Sequence, residues 1–159
     1  MTIAVGQNLP DVKLIKSTDT AREPVQSGEY FKGKKAVLFS VPGAFTPTCS
    51  AKHLPGYVEK AAELKAKGID EIVCTAVNDP FVMGVWGKAS GSDDITMLAD
   101  GNGELASALG LTMDGSGFGL GTRGQRFAAV INDGVVEALY VEAPGEFKVS
   151  AAEYVLEQL

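Results

Sequence analysis

Two cysteines and a single histidine are all that the chain offers as soft or imidazole ligands. That supply is too small for a disulfide scaffold, and Cys49 and Cys74 stand too far apart for a Cys-x-x-Cys motif, so the usage fits a reducing compartment. It also argues against a closed zinc site, which takes four ligands of these types. There is no run of basic residues, and the net charge is −6. A surface for nucleic acid or anionic membrane is therefore not expected, and a small, neutral or diffusible substrate fits better. No apolar stretch reaches the ~20 residues that span a bilayer. Met1 to Gly6 lacks the basic and apolar regions of a secretory signal, so the expectation is a soluble, cytoplasmic protein.

What is present suits one globular unit over residues 1–159. Apolar residues make up 45% and charged residues 21%, enough for a sizeable core without a second domain.

The chemistry is expected in Pro42-Gly43-Ala44-Phe45-Thr46-Pro47-Thr48-Cys49-Ser50-Ala51-Lys52-His53-Leu54-Pro55. Upstream, Ala36 to Val41 is a short apolar run stopped by Pro-Gly, the pattern of an interior strand. Downstream, Leu54, Val58, Ala61, Ala62 and Lys65 recur at helical spacing until Gly68 ends the series. Thr46 suits the N-cap and Pro47 the first helical position, which places Cys49 in the first turn. Unpaired backbone N–H groups and the helix dipole there favour thiolate over thiol. A free cysteine is only ~3% thiolate at neutral pH, so full ionisation raises its reactivity about thirty-fold. Larger accelerations need donors aimed at the transition state.

The remaining segments read as support. Val12–Lys16 and Glu23–Gln26 predict an N-terminal hairpin, and Glu71–Val77 a second buried strand that follows the helix in a right-handed parallel crossover. Pro80 to Ser90, capped by Asp79, reads as a helix, Ile95–Ala99 as a strand and Gly103–Leu109 as a short helix. The glycine-rich stretch from Asp114 to Gly121 lacks strand-turn-helix order, so it is not read as a phosphate loop. Asn132-Asp133-Gly134 between two apolar runs signals an antiparallel hairpin, and Ser150 is the expected cap of a closing helix from Ala151 to Gln158. The predicted fold is α/β and thioredoxin-like: a mixed central sheet, helices on both faces and an N-terminal β-hairpin extension.

Pro42, Thr46 and Cys49 stand in a Pro-x-x-x-Thr-x-x-Cys pattern on the expected strand-loop-helix, and in this the chain resembles the peroxiredoxins. The longer run through His53-Leu54-Pro55-Gly56, Val77 to Met83 and Arg126 to Gly134 is similar to the type II, peroxiredoxin-5-like branch. The resemblance implies reduction of hydrogen peroxide and organic hydroperoxides, with Cys49 as the peroxidatic cysteine. It implies that Thr46 and Arg126 hold the peroxide and stabilise the leaving oxygen, and that Pro42 shields the pocket. Arg123 competes for the arginine role, but Arg126 stands at the family's position. Some members of the branch carry a C-terminal resolving cysteine, near Val149-Ser150 here, and this chain has none. Cys74 is the remaining intramolecular candidate, although it sits in an apolar run where cysteines are commonly inert. The resemblance thus points to an external thiol, glutathione with glutaredoxin or else thioredoxin, with no bound cofactor or metal. It also suggests a homodimer, in which the glycine-rich loop and Phe45 either form the dimer face or are simply a mobile surface loop.

Other residues invite plainer readings. His53, four residues after Cys49, can be a base for the thiol or a metal ligand, but is read as local structure. Phe81, Met83 and Trp86 can line a hydroperoxide pocket or belong to the core. The competing function is a non-catalytic thioredoxin-like redox sensor or binding protein, which needs Cys49 oxidation but no turnover.

Overall fold

The computed structural model describes all residues, 1–159. Seven strands form one sheet in the order β2-β1-β5-β4-β3-β8-β9. These are β1 (Lys13–Ser17), β2 (Arg22–Gln26), β3 (Lys35–Ser40), β4 (Glu71–Ala76), β5 (Ile95–Ala99), β8 (Phe127–Asn132) and β9 (Val135–Val141). The central β3, β4 and β5 run parallel, while β1 joins β5 and β8 joins β3 antiparallel. The expected N-terminal hairpin is thus added at one edge and the C-terminal hairpin at the other. No helix is long and apolar enough to cross a membrane.

The apolar alternation along the central strands explains why both faces are covered. Val37, Phe39, Ile72, Cys74, Ala76, Met97, Ala128 and Val130 point to one face, where they join a single buried cluster with α2 (Leu54–Ala66), α3 (Pro80–Ala89) and α5 (Ala152–Gln158). Ala36, Leu38, Val73, Leu98, Ala129 and Ile131 point the other way and pack with α4 (Glu104–Leu109) and Phe31, which follows α1 (Ser27–Tyr30). Successive side chains on opposite faces are what the pleat dictates. Met83 and Trp86 belong to the first cluster, as core residues; Phe81 is exposed and joins neither buried cluster.

Local chemistry sets the boundaries. The Asp79 side chain accepts from the Val82 amide at 2.8 Å, capping α3 with Pro80 in its first turn, as read from the sequence. Asp133 and Gly134 both take positive φ, 51° and 80°, and close the β8–β9 hairpin as a two-residue turn. Ser150, by contrast, does not cap the last helix: α5 begins at Ala152, and the Ser150 hydroxyl donates to Glu142. The Glu142 carboxylate accepts from both the Ser150 hydroxyl and the Ser150 amide, which holds this residue outside the helix and leaves Ala151 at the N-cap position. The glycine-rich stretch holds a small second sheet, β6 (Thr112–Asp114) with β7 (Thr122–Gly124), around a 3₁₀ turn at Ser116–Phe118. Three-residue strands carry too few positions to show periodicity, and neither these two, which flank the glycine-rich turn, nor the four-residue α1 was legible in the sequence.

Candidate active site

The site lies where β3 ends. Helical backbone begins at Pro47 as predicted, and the Ser50 amide donates to the Thr46 carbonyl at 2.9 Å. The Thr46 hydroxyl does not cap the helix; it donates to the Gly43 carbonyl at 2.6 Å and ties the preceding turn. Cys49–His53 then forms a π-helical turn in which the Leu54 amide reaches the Cys49 carbonyl, before regular α2 continues. Such single π turns recur at functional positions in helices. Here the turn changes the spacing between Cys49 and His53 from that of the straight helix assumed from the sequence.

The loop before the helix is held from two sides. The Asn78 side chain accepts from the Ala44 amide at 2.9 Å, tying the loop to the end of β4. Arg123 donates to the carbonyls of Leu120 at 2.9 Å and Pro42 at 3.2 Å. A Cβ at Gly43 would lie 2.9 Å from Arg123 Nη1 and 3.1 Å from Thr46 Cγ2, so a side chain there would push on the arginine that ties the loop. Phe45 adopts φ 63°, a costly left-handed conformation for a bulky residue, and leaves its ring largely exposed 6.5 Å from Trp86.

Cys49 is fully buried. Arg126, immediately before β8, donates from Nη2 to Cys49 Sγ at 3.1 Å, and its Nη1 lies 2.7 Å from His53 Nδ1. Arg126, not Arg123, is therefore the arginine against the sulfur; Arg123 acts on the loop backbone. Both guanidinium groups were candidates in sequence because three positions separate them, and the strand geometry decides between them.

His53 is also fully buried, and its Nε2 lies 3.1 Å from the Ser150 carbonyl. Burial, and then the neighbouring Arg126 charge, lowers its pKa to about 3. A base that stays neutral and already accepts from arginine is neither a cation nor free to take the Cys49 proton. The reading of His53 as mere local structure is corrected as well, because it touches the arginine that touches the sulfur. Its place one helical turn from Cys49 was the available signal.

Pro42, Thr48, Met113, Phe118, Gln125, Arg126 and Glu142 line a cleft of about 470 Å³ whose surface is mostly apolar. Arg126 is thus shared by the cleft and the buried sulfur. Thr46 is not part of that lining. Cys74 lies in the middle of β4, opposite Phe39 of β3 and Met97 of β5, fully buried in the same cluster as Cys49. Burial, reinforced by Cys49, raises its thiol pKa well above the ordinary value. A thiol so placed stays protonated and immobile.

The family model for redoxins matches residues 4–156. The chain is 51% identical to peroxiredoxin-2E-2, chloroplastic, of Oryza sativa subsp. japonica, over 99% of this chain and 73% of that protein. It is 48% identical to peroxiredoxin-2B of Arabidopsis thaliana, over 99% and 98% respectively. Among solved structures, reduced Prx3 of Vibrio vulnificus in complex with H2O2 superposes with a TM-score of 0.95 at 52% identity, covering 99% of both chains. With a cysteine at a helix start, an arginine on its sulfur and likeness along almost its whole length, the chain belongs to the redoxin family and, within it, to the type II, peroxiredoxin-5-like peroxiredoxins, which are thiol peroxidases.

Proposed function

We propose that Cys49 is the peroxidatic cysteine, that Arg126, Thr46 and Pro42 form its peroxide site, and that an external thiol completes the cycle. The observation that carries this reading is the 3.1 Å contact from Arg126 Nη2 to Cys49 Sγ beside an apolar cleft. The Cys49 thiolate attacks the terminal oxygen of ROOH; an S–O bond forms, the O–O bond breaks, and RO⁻ leaves to take a proton as ROH. Negative charge moves from sulfur to the leaving oxygen, and a guanidinium with several donors serves both ends of that path. The Thr46 proton is committed to Gly43, so its oxygen offers a lone pair to the peroxide O–H. Pro42 lines the cleft and has no N–H to compete there. The apolar cleft beside Arg126 supports organic hydroperoxides as well as hydrogen peroxide.

The Cys49 sulfenic acid condenses with a thiol to a mixed disulfide and water, and a second thiol releases Cys49. Cys74, held at the centre of the sheet, is poorly placed to be that thiol, which favours glutathione with glutaredoxin, or thioredoxin. Because Cys49 is fully covered, such a partner reaches it when the first helical turn opens. The working form is read as a cytoplasmic homodimer, supported by exposed Phe45 and Phe118 on the loops proposed for its face.

Steady-state consumption of hydrogen peroxide and tert-butyl hydroperoxide, with glutathione plus glutaredoxin and with thioredoxin plus its reductase, tests the reading. Turnover in both wild type and Cys74→Ser supports it. Turnover with thioredoxin in wild type alone would make Cys74 the resolving partner. A single oxidation of Cys49 without turnover would instead favour a sensor.

A further inference from the structure

His53 has a bonded partner on each ring nitrogen, and the partners dictate its state. Arginine only donates, so the 2.7 Å contact from Arg126 Nη1 requires Nδ1 to accept. The proton then resides on Nε2 and is donated to the Ser150 carbonyl at 3.1 Å. The ring is clasped by Phe39 at 4.9 Å and Phe147 at 5.0 Å between centroids. A tautomer set from both sides, in a ring that cannot turn, is a directional acceptor.

The carbonyl at the far end is itself fixed. Tyr57 donates to it at 2.7 Å. The buried Glu142 carboxylate accepts from the Ser150 amide at 2.9 Å, the Ser150 hydroxyl at 2.6 Å and the Lys148 amide at 2.6 Å. The Glu142 amide donates to the Arg126 carbonyl at 3.0 Å. These bonds close a circuit from the Arg126 side chain through His53, Ser150 and Glu142 back to the Arg126 main chain.

We infer that His53 is a positioning residue for Arg126, anchored by the Glu142–Ser150 clasp, and that it holds Nη2 on the sulfur by occupying Nη1. An unrestrained arginine side chain samples many rotamers, and ordering it at each catalytic event would cost entropy. The circuit supplies that order in advance. The stretch near Val149-Ser150, where some relatives by resemblance carry a resolving thiol, here holds the catalytic arginine through its backbone. This inference rests on the proposed role of Arg126.

The test is a double-mutant cycle on the rate at which the reduced protein reacts with hydrogen peroxide. His53→Phe keeps the aromatic packing but offers no acceptor, and is expected to slow the reaction 10- to 100-fold, as loss of an orienting partner does. His53→Gln, which can accept and donate in the same directions, is expected to recover most of the rate. In an Arg126→Ala background, His53→Phe should add nothing, since the group it positions is gone. A wild-type rate in His53→Phe with a slow Arg126→Ala, or losses that multiply in the double variant, would overturn the inference while leaving the Arg126 assignment intact. A wild-type rate in Arg126→Ala would remove both. If His53→Phe does not fold, Glu142→Gln carries the same test, with a several-fold loss that vanishes in the Arg126→Ala background.

Discussion

Arg126 and Cys49 are 77 positions apart in sequence and in contact in space, Nη2 to Sγ at 3.1 Å. The contact exists because β8 pairs antiparallel with β3 and places Phe127 opposite Ser40, so the residue before β8 arrives beside the loop that follows β3. Removing either partner should silence the chemistry without unfolding the sheet. Cys49→Ser is expected to abolish turnover, and Arg126→Ala to lower it ~10²- to 10³-fold, the usual loss for a donor aimed at developing charge. Arg123→Ala should cost less, through a loosened Pro42 turn. Peroxide consumption measured beside thermal unfolding checks all three.

Cys74→Ser is expected to retain turnover with an external thiol. It replaces a sulfur inside the core cluster with a hydroxyl that must find a partner, so a stability loss of about 1–3 kcal/mol is predicted. Denaturant titration measures the cost, and the steady-state assay shows whether it is confined to stability.

His53 predicts an acid limit to stability. Its folded pKa of about 3 lies below the ordinary value of 6.5. Between the two the unfolded chain binds the extra proton and the folded chain does not, so stability rises with pH across that window. The contribution is therefore intact above about pH 6.5 and lost as pH falls toward 3, with a slope near 1.4 kcal/mol per pH unit. Unfolding free energies at pH 7, 6 and 5 check the sign, and His53→Phe should flatten the profile. Glu142, whose hydrogen bonds from Ser150 and Lys148 outweigh burial and lower its pKa, adds in the same direction at lower pH.

Gly84 predicts the attachment of the N-terminal hairpin. A Cβ at this position of α3 would run into the Thr18 carbonyl of the β1–β2 turn, which is backbone and cannot swing aside. Gly84→Ala is expected to destabilise by about 2–3 kcal/mol or to lift the hairpin from α3, despite the better helix propensity of alanine. Chemical denaturation gives the first outcome, and hydrogen exchange in β1 and β2 the second.

The sequence carried the parts of the fold that rest on local chemistry. The interior strand before Pro42-Gly43, the Asp79-Pro80 start of α3 and the Asp133-Gly134 turn are each written in a few adjacent residues. It did not carry the competition between distant groups. Ser150 has the chemistry of a cap, but Glu142 takes its hydroxyl. Thr46 has the chemistry of a cap too, but its hydroxyl turns back to donate to the Gly43 carbonyl. The π turn at Cys49–His53 leaves no mark in side-chain pattern, so the partnership of His53 with Arg126 became legible only when β8 was placed beside β3.

The central claim is that Cys49, served by Arg126, reduces the peroxide bond. The most direct test mixes fully reduced protein with one equivalent of hydrogen peroxide in the absence of any thiol donor and follows peroxide loss and the oxidation state of each cysteine. The account predicts rapid loss of that equivalent, with sulfenic acid on Cys49 and Cys74 untouched, slowed strongly in Arg126→Ala and absent in Cys49→Ser. Undiminished reduction in Cys49→Ser, or equal rates in wild type and Arg126→Ala, would contradict it.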